Sequence, residues 1–166
     1  MSVFHWTLGL VLLQRVLELA YARRNTARLR RRGAVEADAE GYPLFVALHA
    51  GWLASLALLV PGSTPPMWPL LGLFALLQFG RLWVIWSMGG YWTTRIVTLP
   101  GAPLVQTGPF RHVRHPNYLL VIAEIAVLPL AFGEIAIATI FSTLNLTLIA
   151  RRIRIEERVL APRRGL

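Results

Sequence analysis

The chain reads as an all-α integral membrane protein with five transmembrane helices. Three observations predict this. More than half of the 166 residues are hydrophobic (55%), and the mean hydropathy is +0.54, values that suit a polytopic membrane protein and not a soluble domain. Five apolar segments follow one another along the chain. Every cluster of basic residues falls in alternate connections between them. The length suits one unit, residues 1–166.

The first segment covers residues 3–22. It lacks a basic leader, and Arg15 and Glu18 interrupt it, which separates it from a cleavable signal. Residues 25–41 are polar and are expected to hold a short surface helix. Gly41 and Pro43 then open the second segment, residues 43–60. Pro61-Gly62-Ser63-Thr64-Pro65-Pro66 is a tight turn into the third, residues 67–88. Residues 89–115 form the longest stretch outside the spans, the kind of loop on which function tends to sit. The fourth and fifth segments, 118–132 and 135–150, form a hairpin joined at Gly133. Spanning takes roughly 20 residues at about 1.5 Å each. The first three segments meet that length, and the last two need extension by their flanks or shielding by protein.

Charge sets the expected topology. The net charge is +9, and all 17 basic residues are arginine. Arg23, Arg24, Arg28, Arg30, Arg31 and Arg32 follow the first segment. Arg95, Arg111 and Arg114 follow the third, and Arg151, Arg152, Arg154, Arg158, Arg163 and Arg164 follow the fifth. The turns after the second and fourth carry none. Five alternating crossings place every cluster on one side, which by the positive-inside rule is the cytoplasm. The N-terminus is then outside and the C-terminus inside. Arginines placed between apolar runs point to a membrane face and not to nucleic acid. Cysteine is absent, which excludes disulfides and thiolate chemistry.

Four constellations remain as candidates for chemistry. In Gly108-Pro109-Phe110-Arg111-His112-Val113-Arg114-His115-Pro116-Asn117-Tyr118, Pro116 suits the first helical position and His115 its N-cap. Free N–H groups and the positive dipole end favour an anionic group there. A membrane-interface turn with snorkelling arginines explains the motif equally well when it is taken alone. In Arg151-Arg152-Ile153-Arg154-Ile155-Glu156-Glu157-Arg158, Arg152 and Glu156 share a helix face. They form either a surface pair or a site in which the guanidinium fork grips a carboxylate. The hairpin brings His115 and the Arg152/Glu156 face together. Arg15, Glu18, Arg81 and Glu124 lie at membrane depth, where charges are costly and face the protein interior. A structural ion-pair network is the simpler expectation and a substrate cavity the alternative. Trp83, Trp86, Tyr91, Trp92 and Phe110 form an aromatic belt, some of which could hold a lipid tail or a cofactor. Arg111 and His112 read as interface charge. No P-loop, metal-ligand set or serine nucleophile elbow is present.

Gly108-x-Phe110, Arg114-His115-Pro116-Asn117-Tyr118, the hairpin and Arg152-x-x-x-Glu156-Glu157 together resemble the isoprenylcysteine carboxyl methyltransferase family over residues 99–160. The first forty residues, with Arg15, Glu18 and Arg23-Arg24-Asn25, resemble a small bacterial branch of it. The resemblance implies a bacterial inner-membrane enzyme with a cytoplasmic site for S-adenosylmethionine. Residues 1–98 would form a three-helix part, and residues 99–166 the cofactor-binding hairpin and C-terminal helix. It further implies that His115 meets the donor's methionine portion. Ala102, Pro103, Leu104 and Val105 wrap the donor, Glu156 holds its polar end, and Pro116 and Tyr118 complete the set. Phe110 replaces a family tyrosine. The family's tyrosine-bearing tail after the glutamate pair is not present before Leu166. Arg152 is the expected catalytic residue and orients the acceptor, with Trp92 and Arg95 as further substrate contacts. The acceptor is expected to be a lipophilic or lipidated carboxylate, phenol or enol. A carboxylate is already ionised and needs no base, whereas an arginine helps a phenol lose its proton.

Three other classes are to be weighed. Sterol-type nicotinamide reductases share Arg-His-Pro-Asn-Tyr but follow it with glycine-glutamate, where this chain has Leu119-Leu120-Val121. A small transporter would use Glu124 as its proton site, and a non-catalytic scaffold would take no cofactor.

Overall fold

The computed structural model describes residues 2–163, so Arg164 of the C-terminal arginine cluster lies outside the described residues. Five α-helices carry the architecture: α1 (Val3–Arg31), α2 (Tyr42–Leu59), α3 (Trp68–Met88), α4 (Pro116–Ala131) and α5 (Ile135–Leu160). Four of them, α1, α2, α3 and α5, are long and apolar enough to cross a membrane. The fourth, α4, has only 16 residues, about 24 Å at helical rise. It is the inner helix, packed between α3 and α5 and burying Val121, Glu124, Ile125 and Leu128. At this length it is a shorter apolar helix, covered on both sides by protein. Its neighbour α5 gains length instead, running without a break from the hairpin to Leu160.

The arginine-rich connection after the first span departs from expectation. There is no separate surface helix in residues 25–41. Instead α1 continues to Arg31, so Arg23, Arg24, Arg28, Arg30 and Arg31 are helical. Asn25 explains why. It is buried and donates to the carbonyls of Gly89 (3.1 Å) and Trp92 (3.0 Å). A polar side chain in the middle of a polar run thereby anchors the helix to the loop that follows α3. Beyond it lies a two-residue strand, β1 (Val35–Glu36). It pairs antiparallel with β2 (Val97–Thr98), Val35 opposite Thr98 and Glu36 opposite Val97.

Acidic residues then tie the arginine-bearing segments to one end of the bundle. Glu36 pairs with both Arg30 and Arg95. Asp38 is buried and takes both terminal nitrogens of Arg151 at 2.8 Å, the bidentate geometry that suits a guanidinium. It also accepts the Gly41 N–H at 3.1 Å. A Cβ on Gly41 would lie 1.8 Å from Arg151 Nη1, so only glycine allows this approach. The opposite end is apolar: Phe4 meets Phe132 edge-on with centroids 5.0 Å apart, and the Met67 N–H reaches the Ala131 carbonyl at 2.7 Å. Gly133, with φ of 77°, turns the hairpin there.

Large apolar side chains on the outer faces, including Trp6, Leu10, Leu13, Phe79 and Trp86, are exposed. They suit lipid, where apolar exposure carries no penalty and helices associate through packing and polar links.

Candidate donor and acceptor site

The helix starting at Pro116 has His115 as its N-cap. Proline fixes φ at the first position and leaves no N–H to satisfy. Gly108, with φ of 58°, sets up the preceding turn, and a Cβ there would fall 2.1 Å from Ser87 Oγ. The turn delivers His115 against α5, as the hairpin predicts. His115 Nε2 lies 2.7 Å from Glu157 Oε1, and Nδ1 lies 3.7 Å from Glu156 Oε2. Tyr118 stacks on the imidazole with ring centroids 5.6 Å apart.

Two cavities meet at this point. The outer one, about 570 Å³, is walled by Leu99, Pro103, Leu104, Val105, Phe110, His115 and Glu156. The inner one, about 390 Å³, is lined by His115, Glu156, Arg152, Trp92 and Arg95. It continues between α1 and α2 along Leu12, Val16, Leu19, Phe45, Val46 and Leu53. Phe110, His115 and Glu156 belong to both. The outer cavity, the more polar of the two, thus opens through a shared wall into a more apolar one.

Most of the expected site residues converge here, on different sides of that wall. Pro103, Leu104, Val105, Phe110, His115 and Glu156 border the outer cavity. Pro116 and Tyr118, expected beside them, line only the inner one. Ala102 lines neither; its N–H closes a turn on the Leu99 carbonyl at 3.2 Å. Arg111 and His112 are both exposed; Arg111 borders the outer cavity and His112 borders neither.

Arg152 is 6% exposed, although its neighbours Arg151 and Arg154 face outward. One terminal nitrogen donates to the Thr94 carbonyl at 2.9 Å, and the guanidinium sits 4.7 Å from the Phe45 ring centroid. Its Nε and other terminal nitrogen have no hydrogen-bond partner among the described residues. Buried donors left unpaired are costly, and a guanidinium fork with two spare donors matches a carboxylate or oxyanion. Arg95 is differently engaged, stacked 4.0 Å over Tyr42 and paired with Glu36. Trp92 is buried and walls the inner cavity. Trp83 and Trp86 face outward as belt residues.

At the inner cavity's deep end the four intramembrane charges form one network. Arg15 bonds Glu18 and Glu124, each at 2.7 Å. Arg81 bonds Glu124 through Nε at 2.8 Å and through a terminal nitrogen, and approaches Glu18 at 3.5 Å. The expected pairs, Arg15 with Glu18 and Arg81 with Glu124, both form and are fused through Glu124. The ion-pair network of the structural reading is what forms, and Arg15, Glu18 and Arg81 also line the cavity.

Sequence reasoning missed Glu157, Thr94 and Phe45 as site residues. The Glu156-Glu157 pair carried a signal, since consecutive helical residues point about 100° apart and either could face the hairpin. No local pattern marks Thr94 or Phe45, which reach Arg152 only through tertiary packing. Among the described residues no group of His, Asp and Glu side chains is arranged to hold a metal ion.

Comparison with known proteins identifies the family. Residues 70–162 match the isoprenylcysteine carboxyl methyltransferase family. Bacillus subtilis (strain 168) YpbQ, an uncharacterized protein, is 34% identical over 163 residues, covering 95% of this chain and 96% of YpbQ. No solved structure matches. The matched span contains Arg81, the His115–Pro116 N-cap, the hairpin and the Arg152/Glu156 face, and the chain belongs to the isoprenylcysteine carboxyl methyltransferase family.

Proposed function

We propose that this protein methylates an oxygen of a lipophilic acceptor, using S-adenosylmethionine, at the cytoplasmic face of a bacterial inner membrane. The junction of the two cavities at His115 and Glu156 carries the proposal. Residues 99–166 would supply the donor side and residues 1–98 most of the acceptor side of a single unit.

The outer cavity fits the donor's chemistry. Leu99, Leu104 and Val105 offer apolar walls for a flat base, and Glu156 offers a carboxylate for an ammonium or sugar hydroxyls. Bound there, S-adenosylmethionine supplies a sulfonium-activated methyl group. His115, oriented by Glu157, would hold the polar end at the shared wall. Arg152 would set the acceptor oxygen in line through its two spare donors, and no base is needed for an ionised carboxylate. The buried wall of Trp92, Tyr118 and Pro116 would keep water from the transfer path. An acceptor tail would lie in the apolar part of the inner cavity, between α1 and α2.

The proposed topology has five crossings with the N-terminus outside. The pairing of three arginine-bearing segments through Glu36 and Asp38 supports one common side for them. The cysteine-free sequence makes this simple to test. A single cysteine at Ser63 should react with an impermeant thiol reagent in spheroplasts, and one at His112 only in inverted vesicles.

The donor is tested by calorimetry on purified protein. Binding of S-adenosylmethionine or its demethylated product is expected. Binding of a reduced nicotinamide in its place would replace this reading with a reductase.

A further inference from the structure

The inner cavity ends on charge, which a plain hydrocarbon tail does not need. Arg15, Glu18 and Arg81 line it, and Glu124, 2% exposed, stands behind them. From Pro116 to Glu124 is eight residues along α4, about 12 Å of rise. The cavity therefore has two polar foci, one at Arg152 and one deeper, with apolar walls between.

Resting on the methyl-acceptor reading of this cavity, we propose that the deep quartet is a second polar subsite. The acceptor is then an amphiphile carrying two oxygen functions, the one to be methylated and a neutral one partway down its chain. Three observations carry this. The quartet holds two cations and two anions and so has no net charge, which favours a neutral dipole over an ion. It retains spare capacity on the cavity: Arg15 lines it, and Arg15 Nε is a buried donor with no partner among the described residues. His49 also lines the cavity, and its Nδ1 is held 2.9 Å from the Phe45 carbonyl. A carbonyl only accepts, so Nδ1 carries the hydrogen and Nε2 of the neutral ring is an acceptor. Helix clamping alone does not require such a cluster, since apolar packing replaces buried ion pairs without loss in many proteins. Charges at membrane depth also mark ligand paths.

The test is binding, which is independent of methyl transfer. Stearate and hydroxystearate bearing its hydroxyl mid-chain are titrated into the detergent-solubilised protein by calorimetry. The wild type should bind hydroxystearate about tenfold more tightly, the worth of one good hydrogen bond. The Arg15→Leu/Glu18→Leu double variant keeps charge balance and the Arg81–Glu124 pair; its preference should collapse towards unity. His49→Phe, which breaks no ion pair, should reduce the preference severalfold. No preference in the wild type overturns the proposal, as does binding of neither probe. A preference that survives in both variants, or an equal loss of both probes, also overturns it and marks the quartet as a clamp alone. Donor binding, measured separately, decides the methyltransferase reading whatever the fatty acids do.

Discussion

His115 Nε2 and Glu157 Oε1 lie 2.7 Å apart, pinning the N-cap of one helix of the hairpin to the last third of the other. Nδ1 of the same ring faces Glu156 Oε2 at 3.7 Å. Removing the ring by His115→Ala should weaken S-adenosylmethionine binding about ten- to hundredfold, the scale of a hydrogen bond to a charged group. Glu157→Gln should have a smaller effect in the same direction. Isothermal titration of both variants checks the order.

Arg152 should not tolerate lysine. Its guanidinium spans the Thr94 carbonyl, the Phe45 ring and the inner cavity at once, and an ammonium lacks the planar fork to do so. Turnover by Arg152→Lys should fall about 100-fold, as expected for a misplaced reactant, with donor affinity nearly unchanged. A collapse of donor affinity would move Arg152 to the donor's side of the wall.

The intramembrane quartet predicts a non-additive stability pattern. Arg81→Met leaves Glu124 with half its compensation in a buried position, a change that costs about 3–5 kcal/mol. Adding Glu124→Leu removes the stranded charge and leaves Arg15 paired with Glu18. Thermal unfolding in detergent should show the double variant recovering more than half of the loss.

Asn25 links α1 to the loop that carries Trp92, Thr94 and Arg95. Asn25→Ala should strip the Trp92 carbonyl of its Asn25 donor, leave the Gly89 carbonyl with the Trp92 N–H alone, and loosen that loop. Hydrogen exchange should accelerate in residues 89–98, and the acceptor KM should rise with donor affinity retained. His112→Ala is the control: an exposed residue outside both cavities should alter donor affinity by less than about twofold.

What the sequence made legible follows from where each signal lies. The helical segments, the His115 N-cap and the Gly133 hairpin are encoded locally by hydropathy, proline and glycine; each forms, with α1 and α5 running on past their apolar segments to Arg31 and Leu160. The shared face of Arg152 and Glu156 follows from helical periodicity once the hairpin is drawn. Asn25 was lost because a buried polar residue inside a polar run looks like solvent-exposed loop. The strand pair formed by Val35–Glu36 and Val97–Thr98 is two residues long, too short for a periodic pattern. The division into two cavities, with Tyr118 and Pro116 on the inner side, depends on packing between α1, α2 and the loop after α3. No spacing in one sequence records that.

The central claim is methyl transfer to a lipophilic acceptor, and labelled donor tests it most directly. Lipid extracts are incubated with purified protein and S-adenosylmethionine carrying an isotopically labelled methyl group, then analysed by mass spectrometry. A new lipid-soluble methyl ester or ether carrying the label, absent with Arg152→Ala, is the predicted result. An unlabelled lipid pool, from protein that binds the donor, would contradict it.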